Sequence, residues 1–105
     1  MTKVSIVYKG KGLASLTISG HAGTNVAGKD LVCAAVSAIS FGALNALEDI
    51  DNDFDYEIDN DEPLIKLAPK GAISDHDETV IETLIIQLKT IEASYPEAIT
   101  IKERK

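Results

Sequence analysis

The sequence predicts an α+β fold, two helices packed on a mostly antiparallel sheet in the order β-β-α-β-β-α-β. Three observations predict it. Short segments alternate apolar and polar residues with a period of two, the pattern of strands with one buried face. Turn residues join those segments in pairs, so neighbouring strands run as hairpins. After each pair comes a longer segment whose apolar residues recur at helical spacing. With 105 residues and 45% hydrophobic content, the chain is expected to form one domain over residues 1–105 around one core.

Val4, Ile6 and Tyr8 alternate, Gly10-Lys11-Gly12 turns, and Ala14, Leu16 and Ile18 alternate again, giving the first hairpin. The second strand leads to Gly20 and His21. A helix is expected from Leu31 to about Leu47, with Asp30 as N-cap and Cys33 at the third helical position. Leu31, Val32, Ala35, Ile39, Ala46 and Leu47 are its expected buried face, and Gly42 is read as a point of close packing. Phe54, Tyr56 and Ile58 then alternate with Asp55 and Glu57 as a half-buried strand. Asn60-Asp61-Glu62-Pro63 turns the chain into Leu64–Leu67. Ser74 and Asp75 open a second helix with Asp77 and Glu78 in its first turn, and Val80, Ile81, Leu84, Leu88 and Ile91 share one face. Pro96 ends it, and Ala98–Ile101 reads as a closing strand.

Bulk chemistry narrows the function classes. The net charge of −7 and pI near 4.6 argue against direct nucleic-acid binding, which needs a basic face. No apolar run approaches the roughly 18 residues of a membrane span, so no membrane contact is expected. A single cysteine excludes an internal disulfide. Together with the absence of an apolar signal segment at Met1-Thr2-Lys3-Val4, it points to a reducing, cytoplasmic setting.

Two motif readings fail on their own terms. Gly23-Thr24-Asn25-Val26-Ala27-Gly28-Lys29 has phosphate-loop spacing, but Asp30 stands where Ser or Thr would hold magnesium, and the strand before it belongs to a hairpin. The acidic run Glu48–Glu62 contains no Lys or Arg. A calcium loop starting at Asp49 or Asp51 puts Phe54 or Tyr56 where glycine is required. Strand alternation explains the run as a solvated face, with an acidic docking surface for a basic partner as the other reading. Metal binding is weak as well, since His21 and Cys33 supply two ligands and His76 is distant in sequence.

The remaining pair is His21 and Cys33. Gly20, Gly23 and Gly28 give the intervening loop freedom to fold back and bring imidazole to thiol. A helix start favours thiolate and offers unpaired N–H groups to an oxyanion. The residues are equally compatible with Cys33 as a small buried hydrophobe and His21 as an ordinary loop residue.

Ser19-Gly20-His21-Ala22-Gly23, followed by Gly28-Lys29-Asp30-Leu31-Val32-Cys33-Ala34-Ala35-Val36-Ser37-Ala38, resembles the paired signature of the ribosomal-processing cysteine protease family, Prp. The resemblance extends over the whole chain. It implies an endopeptidase, acting without cofactor or metal, that removes the N-terminal extension of a large-subunit ribosomal protein (bacterial L-twenty-seven) precursor. It also implies a homodimer with a mobile loop over the active site; independently, the glycines and scarcity of packing residues between Ala22 and Lys29 predict a loop poorly ordered until peptide binds. Cys33 matches the nucleophile and His21 the general base and acid. Asp30 and Ser37 match supporting positions, and Gly20, Ala22, Gly23 and Gly28 belong to the substrate loop. The rival from another class is a non-enzymatic ribosome-assembly or protein-binding module that docks a basic partner on the acidic run.

Overall fold

Hairpin turns and helical crossovers settle the topology. The computed structural model describes residues 1–20, 29–59 and 64–105, with Lys29 and Asp30 by backbone. In chain order the elements are β1 (Thr2–Lys9), β2 (Gly12–Ser19), α1 (Lys29–Ala46), the one-turn α2 (Ile50–Asp53), β3 (Phe54–Asp59), β4 (Leu64–Pro69), α3 (Asp75–Ser94) and β5 (Ile99–Arg104). The described strands form one sheet in the order β3-β4-β2-β1-β5. Its β1–β2, β2–β4 and β3–β4 pairs are antiparallel, and β1–β5 is parallel. The expected α+β architecture with a mostly antiparallel sheet is what forms.

These pairings make β2 and β3 parallel to each other, and likewise β4 and β5. The connection carrying α1 and the one carrying α3 are therefore crossovers. They leave oppositely directed strands and travel in opposite directions along the sheet. With the usual right hand, both then lie on the same face. Accordingly Val4, Ile6, Leu16, Ile18, Ile65, Leu67 and Ile99 form one core with Val32, Val36 and Leu44 of α1 and Ile81, Leu84, Ile85 and Leu88 of α3. Alternate positions such as Lys3, Ser5, Thr17 and Lys66 stay half-buried or exposed on the other face.

The two long helices are also tied at one end. Ser74 caps α3, its Oγ accepting from the Asp77 N–H at 3.1 Å and donating to Glu48 Oε1 at 2.8 Å. Buried Asp77 accepts from the Glu48 N–H at 3.0 Å, and His76 Nε2 meets the Ala46 carbonyl at 2.8 Å. The C-terminal end of α1 is thereby fixed against the start of α3, which sets the axis of the helix carrying Cys33.

Several local expectations need correction. In β2 the pairing shifts at Val7/Tyr8, with Val7 opposite Ser15 and Tyr8 opposite Leu13, so Ala14 is an extra residue outside the alternation. α1 begins at Lys29, placing Asp30 inside the first turn instead of at the N-cap. An acidic residue suits either position through the helix dipole, so composition does not separate them. Cys33 is therefore the fifth helical residue, and its own N–H falls within the intrahelical bonding pattern. The buried stripe of α1 is Val32, Val36, Ser40 and Leu44; Leu31, about 100° round from Val32, is 62% exposed, and Ala46 is also exposed. On β3 only Phe54 is buried, while Tyr56 and Ile58 are 43% and 39% exposed on this edge strand, which has one neighbour in the sheet. The turn Asn60–Pro63 lies outside the described residues.

Gly42 has no packing role either: a Cβ there would meet nothing within 4 Å. Gly42→Ala is expected to stabilise the protein by about 1 kcal/mol through helix propensity alone, read as a shift in urea midpoint at unchanged slope.

At the far edge of the sheet, Glu103 accepts from Lys89 Nζ at 2.8 Å and from the Tyr8 hydroxyl at 2.8 Å. Lys89, then Tyr8, holds the Glu103 carboxyl below its ordinary range; burial, then Glu103, pushes the Tyr8 phenol up. The Glu103 contribution is present above the unfolded carboxylate range and is lost as pH falls through the depressed folded value. That of Tyr8 is complete below the unfolded phenol range and is lost as pH rises through the raised one. Glu103→Gln is expected to cost under about 1 kcal/mol at neutral pH, because the pair is solvent-exposed. The difference should shrink in urea melts as pH falls through the depressed Glu103 value.

Candidate active site

Cys33, Val36, Ser37 and Ser40 stand at i, i+3, i+4 and i+7, which places them on one face of α1. That face looks onto a cavity of about 230 Å³. The sheet supplies the opposite wall: Ile18 of β2, Leu64 and Ile65 of β4, Thr2 at the start of β1 and Asp59 at the end of β3. Gly20 and Phe41 also line it. Cys33 is half-buried, so its thiol is neither sealed in the core nor free of the cavity wall.

Gly20 owes its place to a conformation that only glycine adopts readily. Its φ is +75°, and a Cβ there would lie 2.7 Å from the Met1 carbonyl oxygen. The chain can therefore leave β2 pressed against Met1, on the border of the cavity that Cys33 lines.

Of the residues singled out by sequence, the structure brings Cys33, Ser37 and Gly20 together around this cavity. His21, Ala22, Gly23 and Gly28, with the expected order–disorder behaviour of their loop, lie outside the described residues, as does the side chain of Asp30. Thr2, Ser40, Phe41 and Asp59 were missed. Ser40 had a signal in its seven-residue spacing from Cys33. Thr2 and Asp59 had none, because they arrive through strand pairings remote in sequence.

The acidic run is occupied with local structure. Asp49 caps α2, accepting from the Asn52 N–H at 3.3 Å and from Asn52 Nδ2 at 2.8 Å. Asp51 accepts from the Tyr56 hydroxyl at 2.6 Å, which raises the Tyr56 phenol. Lys70 Nζ reaches the Asp51 carbonyl at 3.2 Å. Among the described residues no cluster of three or more His, Cys, Asp or Glu side chains is placed to hold a metal ion, and no helix is long and apolar enough to cross a membrane. A roomier groove of about 610 Å³, between the first hairpin turn and α3, contains neither cysteine nor histidine.

Reactive chemistry thus concentrates where the thiol meets a ligand-sized, mostly apolar cavity with a few hydroxyls. That placement suits a cysteine nucleophile on an α+β scaffold. The sequence profile of the family cysteine protease Prp matches residues 1–100, and the chain belongs to that family. It is 38% identical over 93 residues to the ribosomal processing cysteine protease Prp of Mycoplasma pneumoniae, covering 86% of this chain and 87% of the relative. The Bacillus subtilis protein of the same name is 36% identical over 101 residues, covering 87% and 86%. In three dimensions the chain is similar to the essential ribosomal processing protease Prp of S. aureus, crystallised with a covalently linked product peptide. The TM-score is 0.83 at 28% identity, over 98% of this chain and 99% of the other. The same S. aureus protease crystallised with a substrate peptide gives a TM-score of 0.80 at 26% identity, with the same coverage.

Proposed function

We propose that this chain is the cysteine endopeptidase that removes the N-terminal extension of a large-subunit ribosomal protein precursor, bacterial L-twenty-seven, during ribosome assembly. The observation that carries the reading is Cys33 on the wall of a cavity of about 230 Å³, room for a substrate side chain. It is supported by relatives named for ribosomal processing and by the S. aureus protease's crystallisation with product and substrate peptides.

Cys33 attacks the scissile carbonyl as thiolate, with His21 as the acceptor of its proton. The tetrahedral oxyanion is met by backbone N–H groups, and those at the start of α1 lie within a turn of the thiol. His21 then protonates the leaving amine, the thioester forms, and water hydrolyses it with His21 as base. Ser37, exposed one turn beyond Cys33 and lining the same cavity, hydrogen-bonds the thiolate or the substrate. Asp30 acts in the first turn of α1, on the dipole or on His21. Gly20, Ala22, Gly23 and Gly28 shape the approach of the peptide. The family resemblance further implies that residues 1–105 act as one protease domain, as a cytoplasmic homodimer without cofactor.

Incubation with the extended precursor, followed by intact-mass measurement, tests the proposal. The expected product is the precursor shortened by one defined N-terminal segment. A precursor of unchanged mass after prolonged incubation overturns it.

A further inference from the structure

The stripe that α1 turns to the core reads Val32, Val36, Ser40, Leu44, and Ser40 is its one polar member. Ser40 is 0% exposed, and among the described residues its Oγ has no hydrogen-bond partner. Helical hydroxyls usually escape that state by donating to the carbonyl one turn back. Thr83 and Thr90 of α3 do so, reaching the Thr79 and Ile86 carbonyls at 2.8 Å each. Ser40 does not, and it lines the same cavity as Cys33. A buried hydroxyl without a partner is costly where an apolar side chain would pack. A ligand atom entering the cavity is the partner that removes the cost.

We infer that Ser40 is a specificity-determining residue, reading a neutral hydrogen-bonding group at the tip of a substrate side chain lodged in Cys33's cavity. The inference rests on the peptidase reading above. The walls formed by Ile18, Val36, Leu64 and Ile65 ask for a side chain with an apolar body, and burying a charged tip among them would be costly, so the tip is neutral. Threonine, asparagine, glutamine and tyrosine have that chemistry. Cys33 and Ser40 are separated by about 10 Å along the helix axis, while extended peptide advances roughly 3.4 Å per residue. The side chain therefore belongs to a residue within about three positions of the scissile bond.

The probes are synthetic peptides spanning the precursor's processing site, each carrying one member of a near-isosteric pair (Val or Thr, Leu or Asn, Phe or Tyr) at one of those positions. Cleavage is read as kcat/KM, and binding is read by calorimetry on Cys33→Ala with and without Ser40→Ala. At one position, the polar member of a pair is expected to exceed its apolar twin by about tenfold in both readouts. Ser40→Ala should bring the ratio close to one. A ratio unchanged by Ser40→Ala, or a preference for the apolar member throughout, overturns the inference and leaves peptidase activity standing. Selective binding without cleavage by the wild-type protein overturns the peptidase reading alone. Peptides that neither bind nor are cut overturn both.

Discussion

Cys33→Ala is expected to abolish precursor processing while leaving the fold in place. Removing a covalent nucleophile costs on the order of 10⁴-fold or more in kcat/KM, which is about 5.5 kcal/mol of transition-state stabilisation. The structural cost should be small. Cys33 sits inside α1 and is only half-buried, and alanine is the better helix former. Stability is therefore expected to stay within about 1 kcal/mol of wild type. His21→Ala should lose activity comparably and slow alkylation of Cys33 at neutral pH, because the thiol then lacks its proton acceptor. The double variant should be no worse than the worse single one, since nucleophile and base act as a unit. Purified protein with an unchanged thermal transition and mass-resolved processing assays checks all three. Processing at near wild-type rate by Cys33→Ala would exclude this cysteine as the nucleophile.

How much of this was legible depended on the range of the interactions. The hairpins were readable because alternation and Gly10 are local. So was α3, where Ser74, the acidic first turn and spaced large apolar residues all agree. α1 was harder. Its alanines bury little and give weak phase, so Leu31 drew the predicted face about 100° away from the stripe that packs. The thiol was found because its chemistry is intrinsic to one residue. Its cavity was not, because Thr2, Asp59 and Leu64 reach it only after β1, β3 and β4 have paired across the sheet. Edge exposure of Tyr56 and Ile58 has the same origin, since the sequence of a strand does not reveal its place in the sheet order.

The second large effect is expected at Gly20, where two penalties combine and a control separates them. Gly10 and Gly20 have similar positive φ values, +63° and +75°. A Cβ at Gly10 meets nothing within 4 Å, so Gly10→Ala carries only the left-handed backbone penalty, about 1 kcal/mol. A Cβ at Gly20 would overlap the Met1 carbonyl oxygen at 2.7 Å, and that oxygen has little room to retreat. It shares a planar peptide unit with the Thr2 N–H, which donates to the Ala98 carbonyl at 3.0 Å, and Thr2 itself is buried. Swinging the carbonyl away strains the contact that seats β1 beside the segment entering β5. Gly20→Ala is therefore expected to cost about 2–4 kcal/mol in urea unfolding. Since Thr2 and Gly20 both border the cavity of Cys33, their displacement should reduce kcat/KM by about 10²-fold or more even where the protein is fully folded. Gly10→Ala, at the opposite end of the hairpin, should process the precursor normally. Equal stability losses in the two variants would refute the steric term. A folded Gly20→Ala variant with wild-type kcat/KM would show that the chain's exit from β2 does not position the site.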